Sequence, residues 1–333
     1  MAKIHKMESP RKALLIINPI SGTLSKEGLR ERVEKELRAY GVEVTTELTG
    51  YPGAAYDLSI KGIENGCDII IAAGGDGTFH ECATACRESD TALALIPCGS
   101  GNGFARHLGI PLNLKKSIDI IKAGHLVGCD YGDVNGHPFF CTMGVGFDAT
   151  VTHKFAALKR RGRMSYVRTA MQEYLRYRPA EYVISSEGKV LTERALVIAI
   201  CNVSQYGNNA YIAPKAKTDD GMLDVTIVHR GNHLATAIAG LDMLTGYLDK
   251  NTLIHTFRTS HASIEATDGS TLQVQVDGEP LQLTGRLKVD CHHLGLKVLA
   301  PSKDMDFKPI ITPLRSAMQD LIQSVGGNIT GKF

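Results

Sequence analysis

The sequence predicts an α/β domain followed by a mainly antiparallel β domain. Strands and helices alternate over the first 125 residues or so, and β-prone runs dominate from Leu126 onward. The chain has 333 residues, about twice the usual single-domain length, so two domains are expected.

In the first part, Ala13 to Ile17 is a continuous β-prone run that ends at Asn18-Pro19-Ile20-Ser21-Gly22. Leu24 to Tyr40 has apolar residues at 29, 33 and 37 with charges between them, the helical period. Strands are expected at Val42 to Leu48, Asp68 to Ala73 and Leu93 to Ile96, and helices at Ala54 to Glu64, Phe79 to Arg87 and Leu114 to Ala123. This alternation implies a mostly parallel sheet covered on both faces. In the second part, strands are expected within 139–143, 182–186, 195–202, 223–229, 256–266, 272–276 and 287–291. They read as an antiparallel sandwich or barrel. Helical insertions are expected at 147–159, 164–177 and 233–248, and a last helix at Leu314 to Val325 is expected to pack back on the first domain.

Composition excludes several classes. Lys plus Arg number 37 and Asp plus Glu 35, a net charge of +2 that argues against a nucleic-acid binder driven by bulk charge. The longest apolar runs are too short to cross a bilayer, and no apolar signal segment follows the first residues, so a cytoplasmic protein is expected. The eight cysteines form no Cys-x-x-Cys pair and read as buried reduced thiols. His292 and His293 read as structural.

The chemistry concentrates in three Gly-rich connectors, each after a predicted strand: Asn18 to Gly22, Gly74-Gly75-Asp76-Gly77-Thr78, and Gly99-Ser100-Gly101-Asn102-Gly103. In an open α/β sheet, ligands bind beyond the carboxyl ends of the strands. Glycine lets backbone N–H groups approach a phosphate at a helix start. Thr78 and Ser100 add hydroxyls, and Asn18 and Asn102 add amides. Asp76 inside such a loop would repel a phosphate unless Mg²⁺ bridged the two; the alternative is an Asp that caps the next helix. No Walker sequence and no protein-kinase His-Arg-Asp or Asp-Phe-Gly is present.

Together, Asn18-Pro-Ile-Ser-Gly22, Gly74-Gly-Asp-Gly-Thr78 and Pro97-Cys-Gly-Ser-Gly-Asn-Gly-Phe-Ala-Arg106 resemble the catalytic-domain signature of the diacylglycerol kinase and sphingosine kinase family, most of all its soluble bacterial lipid kinases. Gly144-Val-Gly-Phe-Asp148, Asp220-Gly-Met-Leu-Asp224 and Asp277-Gly-Glu279 follow in the family's order. The resemblance covers about residues 11–300.

It implies a Rossmann-like three-layer α/β domain (1–132), a β-sandwich lipid domain (133–304) and an active site in the cleft between them. It implies ATP as phosphoryl donor, with Mg²⁺, at Asn18, Pro19, Ile20, Ser21, Gly22, Thr49, Gly74, Gly75, Asp76, Gly77, Thr78, Phe79, His80 and Ser100. The proposed general base is Glu279 or Asp277, since family members are described with either the Glu or the Asp in that role; read alone, Asp-Gly is also a common hairpin turn. A metal loop would use the Asp220 side chain and the carbonyls of Lys217 and Met222. Many bacterial members carry Asp where this chain has Gly103, and Gly-Ser-Gly-Asn is nearer the sphingosine and ceramide kinase branch, so diacylglycerol and a sphingoid base are both acceptors to test.

The alternatives are an NAD kinase-like enzyme, which shares only the Gly-Gly-Asp-Gly-Thr loop, and a catalytically silent nucleotide-binding regulator. Lys154 to Arg178 carries eight basic residues against one acid, Glu173. It reads either as a solvated face or as a peripheral contact with an anionic membrane. No nucleic-acid partner is expected, and the oligomeric state stays open, a homodimer included.

Overall fold

The computed structural model describes residues 5–7, 12–21, 28–156, 172–174, 176–207, 210–248 and 251–302. The first half runs β1 (His5–Lys6), β2 (Lys12–Ile17), α1 (Leu29–Ala39), β3 (Glu43–Leu48), α2 (Ala54–Glu64), β4 (Ile69–Gly74), α3 (Asp76–Cys86), β5 (Ala92–Pro97), α4 (Gly103–His107), α5 (Leu114–Ala123) and β6 (His125–Val134). There follow β7 (His137–Phe139), β8 (Thr142–Gly146), α6 (Phe147–Ala156), β9 (Ala180–Ser186), β10 (Lys189–Ala195), β11 (Val197–Cys201), β12 (Leu223–Val228), α7 (His233–Thr245), β13 (Ile254–Thr259), β14 (His261–Ala266), β15 (Leu272–Val276), β16 (Glu279–Leu283) and β17 (Leu287–Leu299).

β3, β2, β4 and β5 lie side by side in that order, all parallel. Apart from Lys12 at the start of β2, β2, β4 and β5 are apolar because both their faces are covered. Leu15, Ile17, Ile69 and Ile71 pack with Leu29, Val33 and Leu37 of α1 and Ile118 of α5. Their strand neighbours Leu14, Ile16, Ile70 and Ala72 point the other way, onto Phe79, Cys82 and Cys86 of α3. The carboxyl ends of these strands carry the three Gly-rich turns to one edge.

In the second half, β13, β12, β11, β8, β15 and β16 form an antiparallel sheet in that order. Met143, Val145, Ile198, Ile200, Val225 and Ile227 on its inner face meet Ile184, Ile264, Leu287 and Val289, which makes the sandwich. The opposing layer, β9–β14–β17, is hydrogen-bonded to the first sheet. β17 pairs antiparallel with β14 and β6, then parallel with β5 at Val298 and Leu93. One sheet of eleven described strands therefore runs through both parts of the molecule.

Several expected bounds shift for local reasons. The run 256–266 is two strands, β13 in one sheet and β14 in the other, so the chain turns a corner at Ser260. The run 287–291 continues to Leu299 past an irregularity at 293–295, where Leu294 has φ +54° and the register with β6 shifts. The sequence pattern did not predict β6, β10, β16 or the short α4. The expected helix at 164–177 lies largely, and that at 314–325 wholly, outside the described residues. All eight thiols are free, and all but the half-buried Cys291 are buried. Among the described residues, no helix is long and apolar enough to cross a membrane.

Candidate active site

The three turns are tied to one another before any ligand is considered. Asn18 donates from Nδ2 to Thr78 Oγ1 at 3.0 Å and accepts the Ile20 N–H on Oδ1 at 3.1 Å. This links the first turn to the second and closes the first on itself. Gly75 and Gly99 pack backbone to backbone. A Cβ on Gly75 would lie 3.2 Å from the Gly99 Cα, and one on Gly99 would lie 2.5 Å from the Gly75 Cα. The glycines here are needed as much for this close packing of turns as for approach to a ligand.

Asp76 stands in the first turn of α3. Its Oδ2 accepts the Asn102 N–H at 2.8 Å and its Oδ1 the Gly103 N–H at 2.7 Å. The carboxylate thus clamps the second turn to the third and caps the start of α4, the helix after its own. Burial raises its pKa against those two hydrogen bonds. Each oxygen keeps acceptor capacity, and Asp76 lines the cleft. A carboxylate in this position has the chemistry to hold Mg²⁺, which takes one or two carboxylates and completes its shell with phosphate oxygens and water.

Two expected ligands have other work. Asn102, buried, spans its own turn: Nδ2 donates to Gly99 O at 2.7 Å and Oδ1 accepts Gly99 N–H at 3.1 Å. Its side chain shapes the turn. Phe79 is buried against Phe104, ring centroids 4.3 Å apart, in the core below the turns. Thr49, whose N–H bonds Ile17 O at 3.0 Å, sits at the same strand edge. Gly22 lies outside the described residues.

A cleft of about 340 Å³ opens beyond this edge. One wall is Ser21, Gly75, Asp76, Gly77, Gly99 and Ser100. The other is Thr152, Phe155 and Ala156 of α6 and the turn Asp277-Gly278-Glu279. That turn joins β15 to β16, with Val276 paired to Glu279 and both central residues at positive φ, +49° and +85°. It is a type I′ hairpin turn, and it also stands in the cleft, so the two readings of Asp-Gly are not exclusive.

The two carboxylates of the turn differ sharply. The Asp277 side chain is 2% exposed. Its Oδ1 accepts the N–H groups of Cys141 and Thr142 at 2.8 and 2.9 Å. Its Oδ2 accepts the Phe140 N–H at 2.9 Å and pairs with His80 Nδ1 at 2.8 Å. Burial opposes protonation of His80, but the hydrogen bond and charge of Asp277, with Glu279 and Glu81, outweigh it and raise its pKa. Glu279 is exposed and makes no side-chain hydrogen bond or ion pair among the described residues. A Cβ on Gly77 would lie 3.9 Å from its Oε1, so Glu279 faces the glycine turns across the cleft.

Comparison with known proteins agrees with this architecture. Residues 12–134 match the diacylglycerol kinase catalytic domain, and residues 141–299 match a YegS C-terminal NAD kinase beta sandwich-like domain. A Pseudomonas fluorescens protein called "Probable lipid kinase YegS-like" is 31% identical over 82% of this chain and 90% of its own length. The chain belongs to the diacylglycerol kinase catalytic-domain family. A Bacillus subtilis relative named diacylglycerol kinase is 29% identical over 81% of this chain and 90% of its own. A diacylglycerol kinase structure from Bacillus anthracis superposes with a TM-score of 0.70 over 90% of this chain and all of that one, at 21% identity. The shared fold is a parallel α/β domain with an antiparallel β-sandwich, and the family assignment supports a kinase enzyme.

In this family member, the loop resembling a metal site is already neutralised. Asp220 Oδ2 is bonded to Arg258, and Oδ1 accepts the Met222 N–H at 3.2 Å. Lys217 is exposed. Among the described residues, no group of three His, Cys, Asp or Glu side chains could hold a metal. A cation on Asp220 Oδ2 would have to displace Arg258. Pattern reading also missed Gln275 and Thr152, neither of which belongs to a glycine run or a paired-carboxylate motif. His292 stacks on Tyr131 at 4.6 Å, and His293 bonds the buried Asp130 at 2.8 Å, both structural contacts.

Proposed function

We propose that this chain is an ATP-dependent lipid kinase that transfers the γ-phosphoryl group of ATP to the hydroxyl of a lipid such as diacylglycerol or a sphingoid base. One observation carries the reading: a carboxylate without a side-chain partner among the described residues, Glu279, faces a wall of glycine turns across one cleft. Residues 1–132 supply the nucleotide half and 133–304 the lipid half. The triphosphate lies along Ser21, Gly75, Gly77, Gly99 and Ser100, with Thr49 beside the nucleotide, because backbone N–H groups at a helix start hold phosphates without a side chain.

Asp76 is the residue to hold Mg²⁺ against the phosphates, and the ion would offset charge on the transferring group. Glu279 takes the proton of the acceptor hydroxyl as its oxygen bonds to the γ-phosphorus. The bond from the γ-phosphorus to the β–γ bridging oxygen breaks, and ADP leaves. Asp277 does not share this role, because its acceptor sites are filled by three amides and His80. Phe155 and Ala156 offer an apolar wall beside Glu279, suited to the first carbons of an acyl or sphingoid chain.

The enzyme is read as cytoplasmic and as working at the inner membrane surface. Lys159, Arg160, Arg161, Arg163 and Arg168, which lie outside the described residues, would supply the contact; Lys154 instead pairs with Glu173 at 2.5 Å. The test is transfer from radiolabelled ATP to a panel of diacylglycerol, sphingosine, ceramide and NAD. Label in a lipid product supports the reading. Label only in the NAD product, or in none, overturns it.

A further inference from the structure

None of the Gly144-Val145-Gly146-Phe147-Asp148 stretch is among the residues lining the cleft, and the transfer described above uses none of it. Its residues converge on a buried hydrogen-bond chain that ends at the turn carrying Glu279. A two-residue turn leaves both central amides outside the ladder. The Asp277 N–H goes to Thr142 O at 2.8 Å, and the Gly278 N–H goes to Gln275 Oε1 at 2.9 Å. Gln275 is 2% exposed, so its amide is held by protein partners. Its Nε2 points at Thr142 Oγ1, 3.3 Å, and at Asp148 Oδ2, 3.5 Å. A flipped amide would set Nε2 against the Gly278 N–H, two donors face to face.

Asp148 is fixed in turn. Its Oδ1 accepts the Ala149 N–H at 2.8 Å and its Oδ2 the Tyr206 hydroxyl at 3.2 Å. Burial pushes this carboxyl up to about 7 against those hydrogen bonds. The glycines of the stretch make the arrangement sterically feasible. A Cβ on Gly144 would fall on the Asp148 carboxylate and lie 3.1 Å from Gln275 Nε2. Gly146, at φ +99°, turns the chain from β8 into α6, and a Cβ there would lie 2.5 Å from Leu196 O. The Gly-x-Gly-x-Asp spacing is thus the space and the turn that bring a carboxylate under β15.

We propose that Gln275 and Asp148 are positioning residues for Glu279: Gln275 holds the Gly278 amide and with it the turn, and Asp148 sets which end of the Gln275 amide faces that turn. The proposal rests on the reading of Glu279 as the general base. Neither residue is among those lining the cleft.

The test exchanges the two functional groups. Asp148→Asn alone presents a donor to Gln275 Nε2, because the Ala149 N–H keeps the new amide oxygen. Gln275→Glu alone replaces that donor with a carboxyl group, so the two acids hold together only by sharing a proton. Each single variant should lower kcat about tenfold or more, with the KM for ATP within about twofold, as expected for an interaction that orients the reacting group. The double variant restores a donor–acceptor pair and an acceptor for Gly278, and its kcat should return to within about threefold of wild type.

Hydrogen exchange of the 277–279 amides is followed in the same four proteins. It should be fast in each single variant and slow again in the double one. This readout needs no activity, so it tests the network even if the kinase reading fails; an active Glu279→Gln would instead overturn the base assignment. The positioning role is overturned if both single variants keep wild-type kcat, or if the double variant is no better than the worse single one in both kcat and exchange.

Discussion

The two walls of the cleft solve the same problem in opposite ways. On the wall of glycine turns, three polar side chains brace the turns: Asn18 binds Thr78, Asn102 binds Gly99, and Asp76 binds the backbone of the third turn. The surface left for a ligand is mostly backbone. On the facing wall, the turn between β15 and β16 divides two carboxylates. Asp277 is consumed by four partners, and Glu279 by none among the described residues. A motif letter therefore does not state a role. Asp76, Asn102 and Asp277 look like ligands or a base on paper, and each is also a brace.

The largest effect that would break this comparison belongs to Asp76. Asp76→Asn puts an NH₂ group where a backbone N–H must be accepted and weakens the expected Mg²⁺ site. Transfer should fall about a hundredfold or more. The protein should remain folded by circular dichroism, and full activity of the folded variant would remove the role.

Next come the packed turns. Gly99→Ala must push the Gly75 backbone and should raise the Kd for ATP about tenfold or more by calorimetry. Gly75→Ala meets a looser contact and should cost less. The reverse order would contradict the packing described here.

Asp277→Asn sharpens the other wall. One amide oxygen cannot serve three N–H donors, and an unsatisfied buried group costs about 1–3 kcal/mol. Its thermal midpoint should drop by several degrees, while Glu279→Gln, at an exposed position, should leave the midpoint almost unchanged.

Smaller still is the pH dependence of the His80–Asp277 pair. The folded state raises the pKa of His80 from 6.5, so the stabilisation is present in full below that value. It is lost as pH rises through the raised folded-state value. The loss of stability in His80→Ala should thus be larger in mildly acidic than in alkaline buffer. A pH-independent loss would mean that the ion pair contributes nothing.

The smallest effect on turnover is expected from replacing Lys159, Arg160, Arg161 and Arg163 with Gln. Binding to anionic vesicles should weaken at low salt, while turnover on a short-chain lipid should hardly change.

Much of the parallel half was legible because its signals are local. The helices at 54–64 and 114–123 fall where the pattern sets them, and the glycine turns follow apolar strands that periodicity reveals. β17 was not legible beyond Cys291, because its partners β6 and β5 are remote in sequence and its irregular stretch His293-Leu294-Gly295 reads as a break. In the site, the motifs located the cleft but could not separate Asp277 from Glu279. That separation depends on where the Phe140–Thr142 amides and His80 lie in space. Gln275 left no trace in the sequence pattern, since a single Gln in a strand looks like any other polar position.

The most direct test of the central claim is rapid-quench transfer from radiolabelled ATP to short-chain diacylglycerol and short-chain sphingosine by Glu279→Gln, with ATP binding measured on the same preparation. ATP affinity should stay within about threefold of wild type while the rate of lipid phosphorylation falls by a factor of about 10² to 10⁴. Lipid phosphate formed at the wild-type rate by this variant would contradict the account.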